Sequence, residues 1–380
     1  MKVTAIQKFN TDNFIKKGLL PLPKCVSVPK EKPFVYPASN YAIAYFSLFR
    51  KDDTNIFIKS TEAKLLKLGY KKDKENNFKK NFSEKQVNEL KNKYGKYSES
   101  FRNIFEKPIS KEDIVDFKKF INMDKERGIK AYHNNFEKLF QTFCILKENN
   151  NLDVIEKHGK NAFNLVLEYV EKEDYKKNIL EDIFLYKEDA HFGKGRAMQY
   201  ALEQKNADTG FKIDKDVKQS IDNLSKTIDE HVLPKDLILY RIEKPRATLT
   251  QVKVNGKNMD LASMMMDASK SGDINKINEV KEFVLDNEIQ AKNPRFMSTS
   301  LENNMNKTGL KNLVLTKTSF LWKMKVKPNT KGLYIESFNA PGQYAEQNEV
   351  ILQKGSKLSI ENLDYNPKRK TWIIDATVSN

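Results

Sequence analysis

The spacing of apolar residues changes partway along the chain, and that change constrains the architecture more than any other feature. From about residue 41 to 205 the apolar side chains recur at i, i+3 and i+4, as in STEAKLLKLGY, SEKQVNELKNKYG, SKEDIVDFKKFI, FEKLFQTFCILKENN and NAFNLVLEYVEKEDYKKNILEDIFLYKEDA. This is the stripe of helices with one buried face, and several of these runs open with Ser followed closely by an acid, a helix-start signal. After about residue 210 the texture differs. DVKQSIDNLSKTIDEHV is one more amphipathic helix, stopped by Pro234, and then come short runs suited to strands: LILYRIE, ATLTQVKV, RFMSTS, SFLWKMKV, GLYIES, NEVILQ, KLSIENL and TWIIDATV. MDLASMMMDASK and INEVKEFVLDNEI read as short helices between them. Residues 1–40, with Pro21, Pro23, Pro29, Pro33 and Pro37, read as an irregular or extended arm. The expected class is α+β, a mainly helical first half followed by a unit rich in antiparallel strands.

Of the 380 residues 39% are hydrophobic, including 23 Phe and 15 Tyr, which is ample for a core and excludes disorder throughout. No window approaches eighteen uninterrupted apolar residues, and the opening MKVTAIQKFNTDNFIKKGLLPLPKC shows no apolar signal region, so neither a membrane span nor a classical signal peptide is expected. The two cysteines, Cys25 and Cys144, lack any metal-ligand spacing, and His133, His158, His191 and His231 are scattered. A disulfide framework, a metal site and a histidine-based triad are therefore not expected.

The net charge of +16 is unevenly placed: residues 1–100 hold 21 basic against 10 acidic residues, whereas 101–300 are balanced. KKDKENNFKK and KNKYGKY interleave Lys with aromatic residues, a pattern compatible with an anionic membrane surface or a nucleic-acid backbone. A solvated helix face explains it as well, since phosphate recognition usually recruits more Arg.

Three strand-end signals carry chemistry. Tyr240-Arg241 ends LILYR, Phe296-Met297-Ser298-Thr299-Ser300 follows 57 residues after Arg241, and Glu346-Gln347-Asn348-Glu349 runs into an apolar strand. Singly each is ordinary; in this order they are specific. The combination resembles the bacterial mono-ADP-ribosyltransferase toxins, in the clade marked by Arg, then Ser-Thr-Ser, then an acid or Gln two residues before a Glu. The likeness extends through FLWKMKVKPNTKGLYIES, EQNEVILQKGSKLSI and the helix IDNLSKTIDEHV ahead of Arg241, and covers about residues 185–380.

The resemblance implies a catalytic domain over 185–380, built of two packed, mostly antiparallel sheets with flanking helices and NAD in the cleft, after a helical domain over 1–184 serving delivery, localisation or target recruitment. Breaking the bond between nicotinamide and ribose develops positive charge on the ribose, so a carboxylate stabilises the transition state. By the resemblance this is Glu349. Arg241 would pair with a phosphate of NAD, Ser298 would orient Glu349, and Thr299 and Ser300 would secure the strand, with Thr299 also counted in the NAD site. Gln347 stands where arginine-modifying relatives have Glu, which points to another acceptor, such as an Asn or Gln of a small GTPase. Phe338-Asn-Ala-Pro-Gly-Gln-Tyr-Ala matches the family's target-contacting loop, with Tyr344 as its exposed aromatic.

There are departures. Gln199 and Glu203 fall where the family carries an Asn and an Arg that grip NAD, and no aromatic follows Ser-Thr-Ser in LENNMNKTGLKNLV. The implied function is a monomeric toxin or secreted effector that transfers ADP-ribose from NAD to a host protein, in the cytosol of a target cell, with a translocation partner or membrane surface for its basic N-terminal region. The alternatives are transfer to a nucleic-acid base and a catalytically degenerate binding module.

Overall fold

A computed structural model describes residues 54–188, 193–203, 214–243, 248–303, 318–339 and 347–380. The chain divides into Met1–Phe57 and Ile58–Asn380. The Pro-rich arm and the expected exposed aromatic Tyr344 lie outside the described residues. The expected boundary after residue 184 falls inside a helix, Lys177–Glu188, of the second unit.

Helices come first: α1 (Thr54–Lys67), α2 (Glu84–Tyr94), α3 (Ser98–Phe105), α4 (Lys111–Ile121), α5 (Lys125–Asn134), α6 (Phe136–Glu148), α7 (Leu152–Val170), α8 (Lys177–Glu188), α9 (Gly193–Leu202) and α10 (Lys215–Asp229). Their starts follow the sequence signals. Ser83 and Ser110 each cap a helix reciprocally with the residue three on, Gln86 and Asp113. The helical core is aromatic: Phe117 meets Phe140 edge-on at 5.0 Å, and Phe120 meets Phe163 at 4.8 Å. Gly128 allows α5 to approach α4 closely, because a Cβ there would lie 2.1 Å from the carbonyl oxygen of Ile121.

The Lys-rich run 71–80 is not a helix face but a small hairpin, β1 (Lys71–Lys72) against β2 (Phe78–Lys79). Asp73 makes its turn by accepting the amides of Glu75 and Asn77, both at 2.9 Å. Three of its five lysines are engaged locally: Lys72 pairs with Glu62, Lys79 with Asp73, and Lys80 lies over the rings of Tyr70 and Phe82.

The strands of the second half are β3 (Ile238–Glu243), β4 (Val252–Val254), β5 (Lys257–Met259), β6 (Ile289–Lys292), β7 (Met297–Ser300), β8 (Ser319–Val326), β9 (Gly332–Tyr334), β10 (Glu349–Leu352), β11 (Lys357–Asn366) and β12 (Thr371–Ser379), in the order β5-β4-β6-β11-β12-β8-β3-β7-β10-β9. All pairings are antiparallel except β12 with β8. The two expected sheets are joined into one ladder, but the junction is slight: β3 and β7 share a single residue pair, Tyr240 with Ser300, whereas β3 and β8 share six. Helices α11 (Leu261–Ser271) and α12 (Ile274–Leu285) flank the larger portion. There the buried Trp372 donates its indole N–H to the Met265 carbonyl at 3.0 Å. GLYIES is a strand only to Tyr334; Ile335–Ser337 form a tight 3-10 turn.

Candidate active site

The signals separated in sequence meet at the β3–β7 junction. Arg241 on β3 donates through Nη1 to the carbonyl of Ser298 on β7 at 2.7 Å, closing the seam where the backbone ladder has stopped. Its Nε donates to Glu243 Oε2 at 3.2 Å. Glu243 is itself fixed, because its other oxygen accepts the Trp322 indole N–H at 2.9 Å. The guanidinium is thus held on one side, and Nη2 makes no hydrogen bond among the described residues. A rigid fork with a free donor suits a phosphate oxygen.

Strand β7 carries Ser298, Thr299 and Ser300 on alternating faces. Register pairs Ser300 with Glu349 and Ser298 with Ile351. The Ser298 hydroxyl accordingly meets not Glu349, as expected, but the phenol of Tyr186 at 3.3 Å. Tyr186, at the end of α8, donates to the Phe296 carbonyl at 3.3 Å and accepts from Gln199 Nε2 at 2.9 Å. Burial pushes its phenol pKa up. Thr299 is buried and its hydroxyl donates to the Val350 carbonyl at 2.7 Å, so it braces the strand on the face away from Ser298 and Ser300 rather than offering a contact to NAD. Ser300 donates to the Gln347 carbonyl at 2.7 Å.

Gln347 and Glu349 are separated by Asn348, whose φ of 49° is the left-handed conformation that Asn tolerates better than most side chains. Tyr334 steadies it by donating to Asn348 Oδ1 at 3.1 Å. Beyond this kink Gln347 is half-buried, its side-chain amide making no hydrogen bond among the described residues. Glu349 is 5% exposed.

Two groups that sequence reasoning missed stand beside Glu349. Lys187 Nζ, on the last turn of α8, lies 2.6 Å from Glu336 Oε1 and 3.7 Å from Glu349 Oε2. Glu336, fully buried in the turn after β9, also accepts the backbone N–H of Glu349 at 3.2 Å and Asn339 Nδ2 at 3.0 Å. Burial pushes the Glu336 pKa up, opposed by Lys187. Nothing in LYKEDA or YIES separates these residues from an ordinary helix end and strand, so no sequence signal marked them.

For the expected NAD-gripping positions, the two outcomes differ. Glu203 is engaged with Arg295 at 2.8 Å. Gln199 keeps a buried Oε1 without a hydrogen-bond partner. That orphaned acceptor beside Ser298 and the free Arg241 donor fit a polar ligand carrying hydroxyl or amide donors and phosphate oxygens, as NAD does. Among the described residues no group of three His, Cys, Asp or Glu is placed to hold a metal ion.

The loop root at Phe338–Asn339 is fastened by the helical part. Tyr169 and Tyr175 pack on Phe338 at 4.8 and 5.4 Å, and Asn149 donates to the Asn339 carbonyl at 3.0 Å.

Residues 193–380 match the family model described as ADP-ribosyltransferase exoenzyme. They belong to that family. No curated protein matches the chain. Similar solved structures include BECa, the ADP-ribosylating toxin of a binary enterotoxin of C. perfringens, with NADH: 20% identity, 60% of this chain and 48% of that one, TM-score 0.41. C3stau2 of S. aureus with NAD is 16% identical over 57% of this chain and 92% of that one, TM-score 0.40. The C3 exoenzyme of Clostridium limosum is 17% identical over 60% and 95%, TM-score 0.41. The chain thus spans about half the length of BECa.

Proposed function

We propose that the protein is a secreted effector or toxin that uses its transferase domain to move ADP-ribose from NAD to a side chain other than arginine on a protein of a target cell, releasing nicotinamide. The observation that carries this reading is the convergence at one seam of Arg241, Ser298 and Ser300, Gln347 and Glu349, three segments far apart in sequence. Arg241 binds a phosphate of NAD. Glu349 stabilises the cationic ribose as the bond to nicotinamide breaks and its electron pair leaves with the pyridine ring. The acceptor's lone pair then attacks the ribose carbon and the acceptor loses a proton.

Gln347 offers an amide where a carboxylate would orient a guanidinium, which supports an amide acceptor, as in an Asn or Gln of a small GTPase. The helical part, which fastens the root of the expected target loop, acts in target recruitment. Lys72 and Lys79 of the 71–80 hairpin are paired with acids of the protein itself, which weighs against that hairpin as a nucleic-acid surface.

The test is labelled NAD with a eukaryotic lysate, comparing wild type and Glu349→Ala, with nuclease-treated and protease-treated arms. A protein band that depends on Glu349 supports the reading. A label removed by nuclease but not by protease replaces it with transfer to nucleic acid, and release of no nicotinamide at all overturns it.

A further inference from the structure

The Lys187–Glu336 pair has no part in the scheme above, yet it is the most enclosed ionic cluster of the site. The side chains of Lys187, Glu336 and Glu349 are 4%, 0% and 6% exposed. Two carboxylates confined this closely disfavour each other's ionisation, and one ammonium between them offsets the repulsion and leaves a single net negative charge. We infer that Lys187 is a positioning residue for the transferase reaction, holding the Glu349 carboxylate aimed while Glu336 fixes both the ammonium and the Glu349 backbone. This rests on the reading of Glu349 as the transition-state carboxylate.

The geometry distributes these tasks. Glu336 Oε1 receives Lys187 Nζ at 2.6 Å and the Glu349 N–H at 3.2 Å, so one oxygen ties the cation to the strand end that carries Glu349. Asn339 holds the other oxygen. Lys187 therefore favours Glu336 and reaches Glu349 only at 3.7 Å. The catalytic carboxylate is attracted but not captured, and its charge stays available to a cationic ribose. The 3-10 turn at Ile335–Ser337 follows from the same arrangement, since it swings Glu336 inward between α8 and β10. Lys187 also precedes the family match, which begins at residue 193, so the helical part supplies a group to the reacting centre.

The charged and titratable groups facing Glu349 are Lys187 and Tyr186 from α8 and Glu336 from the turn after β9, with Arg241 of β3 acting on the Tyr186 phenol. Lys187 and Glu336 act on it with opposite sign. Nicotinamide release by the full-length protein is measured from pH 4 to 9 for wild type, Lys187→Met, Glu336→Gln and Glu349→Gln, with thermal unfolding of each. Lys187→Met is expected to move the acid limb of kcat/KM up by about one pH unit or more and to lower kcat at least tenfold. Glu336→Gln, close in shape, keeps an acceptor oxygen for the Glu349 N–H but no charge to hold the ammonium, so it frees Lys187 to capture Glu349 and moves the acid limb down while lowering kcat.

An unmoved acid limb in Lys187→Met, whatever its stability, overturns the inference. Should that variant fail to fold, an acid limb in Glu336→Gln that is unmoved or raised overturns it. Full activity in Glu349→Gln instead overturns the reading of the site itself, which separates the two failures.

Discussion

Arg241 donates to the carbonyl of Ser298 at 2.7 Å across the point where β3 and β7 share one residue pair. A side chain thus replaces backbone ladder at the junction of the two parts of the sheet, and the same side chain keeps a donor for a ligand. Structural and binding roles are joined in one residue, so the conservative substitution is not conservative. Arg241→Lys keeps the charge but loses the fork, and cannot both close the seam and present a second donor. The expected result is a KM for NAD raised about tenfold or more, corresponding to a lost charge-assisted hydrogen bond of ~1.5–3 kcal/mol, measured by steady-state NAD hydrolysis.

Gln347 and Glu349 divide the work of the motif. Glu349→Ala removes the carboxylate and is expected to lower NAD hydrolysis and transfer alike, by roughly 100-fold or more. Gln347→Ala leaves the backbone anchored, because Ser300 holds its carbonyl rather than its side chain. It is expected to keep much of the hydrolysis and lose transfer to the target. Equal loss of both activities in the two variants would refute this division.

A stability prediction concerns Gly128. An added Cβ there meets the backbone oxygen of Ile121 at 2.1 Å, and a backbone group cannot swing aside as a side-chain tip would. Gly128→Ala is expected to cost on the order of 3 kcal/mol in urea unfolding, as overpacking does. Arg241 and Glu349 are untouched, so hydrolysis per folded molecule is expected to stay near wild type.

His231 gives a pH dependence. It is 2% exposed, shares a hydrogen bond with the Tyr175 hydroxyl, and has its pKa pushed down to about 4 by burial, with Lys172, Lys138 and Lys331 adding to the effect. The unfolded chain protonates first as the pH falls through about 6.5. The contribution of neutral His231 is therefore complete above that pH and lost progressively down to about pH 4, amounting to about 3 kcal/mol. Unfolding free energies between pH 7 and 4.5 are expected to fall less steeply in His231→Asn than in wild type; equal slopes would refute the assignment.

The strand signals were legible because each strand faces a core and its pattern records that burial: SFLWKMKV and TWIIDATV became β8 and β12. The structure brings the motif residues Arg241, Ser298 and Glu349 to one seam. Partners set by register were not legible. Ser298 lies opposite Ile351 rather than Glu349, an offset that no spacing along the chain encodes. The hairpin at 71–80 was not among the readings of that run, a membrane or nucleic-acid contact or a solvated helix face, because its lysines hide a turn organised by Asp73. Lys187 and Glu336 escaped because a buried charge is recognised by what surrounds it, and their partners are 149 residues apart in sequence.

Strand β12 lies between β11 and the parallel β8, at the middle of the larger part of the sheet. Among the described strands it is the last in chain order, and β8 and β11 keep open edges until Thr371–Ser379 bridges them. The scaffold around the site therefore closes only when this strand is in place, whichever of the other strands pair first. Separating β12 from β8 would thus open the sheet on both of its sides at once, without touching Glu349.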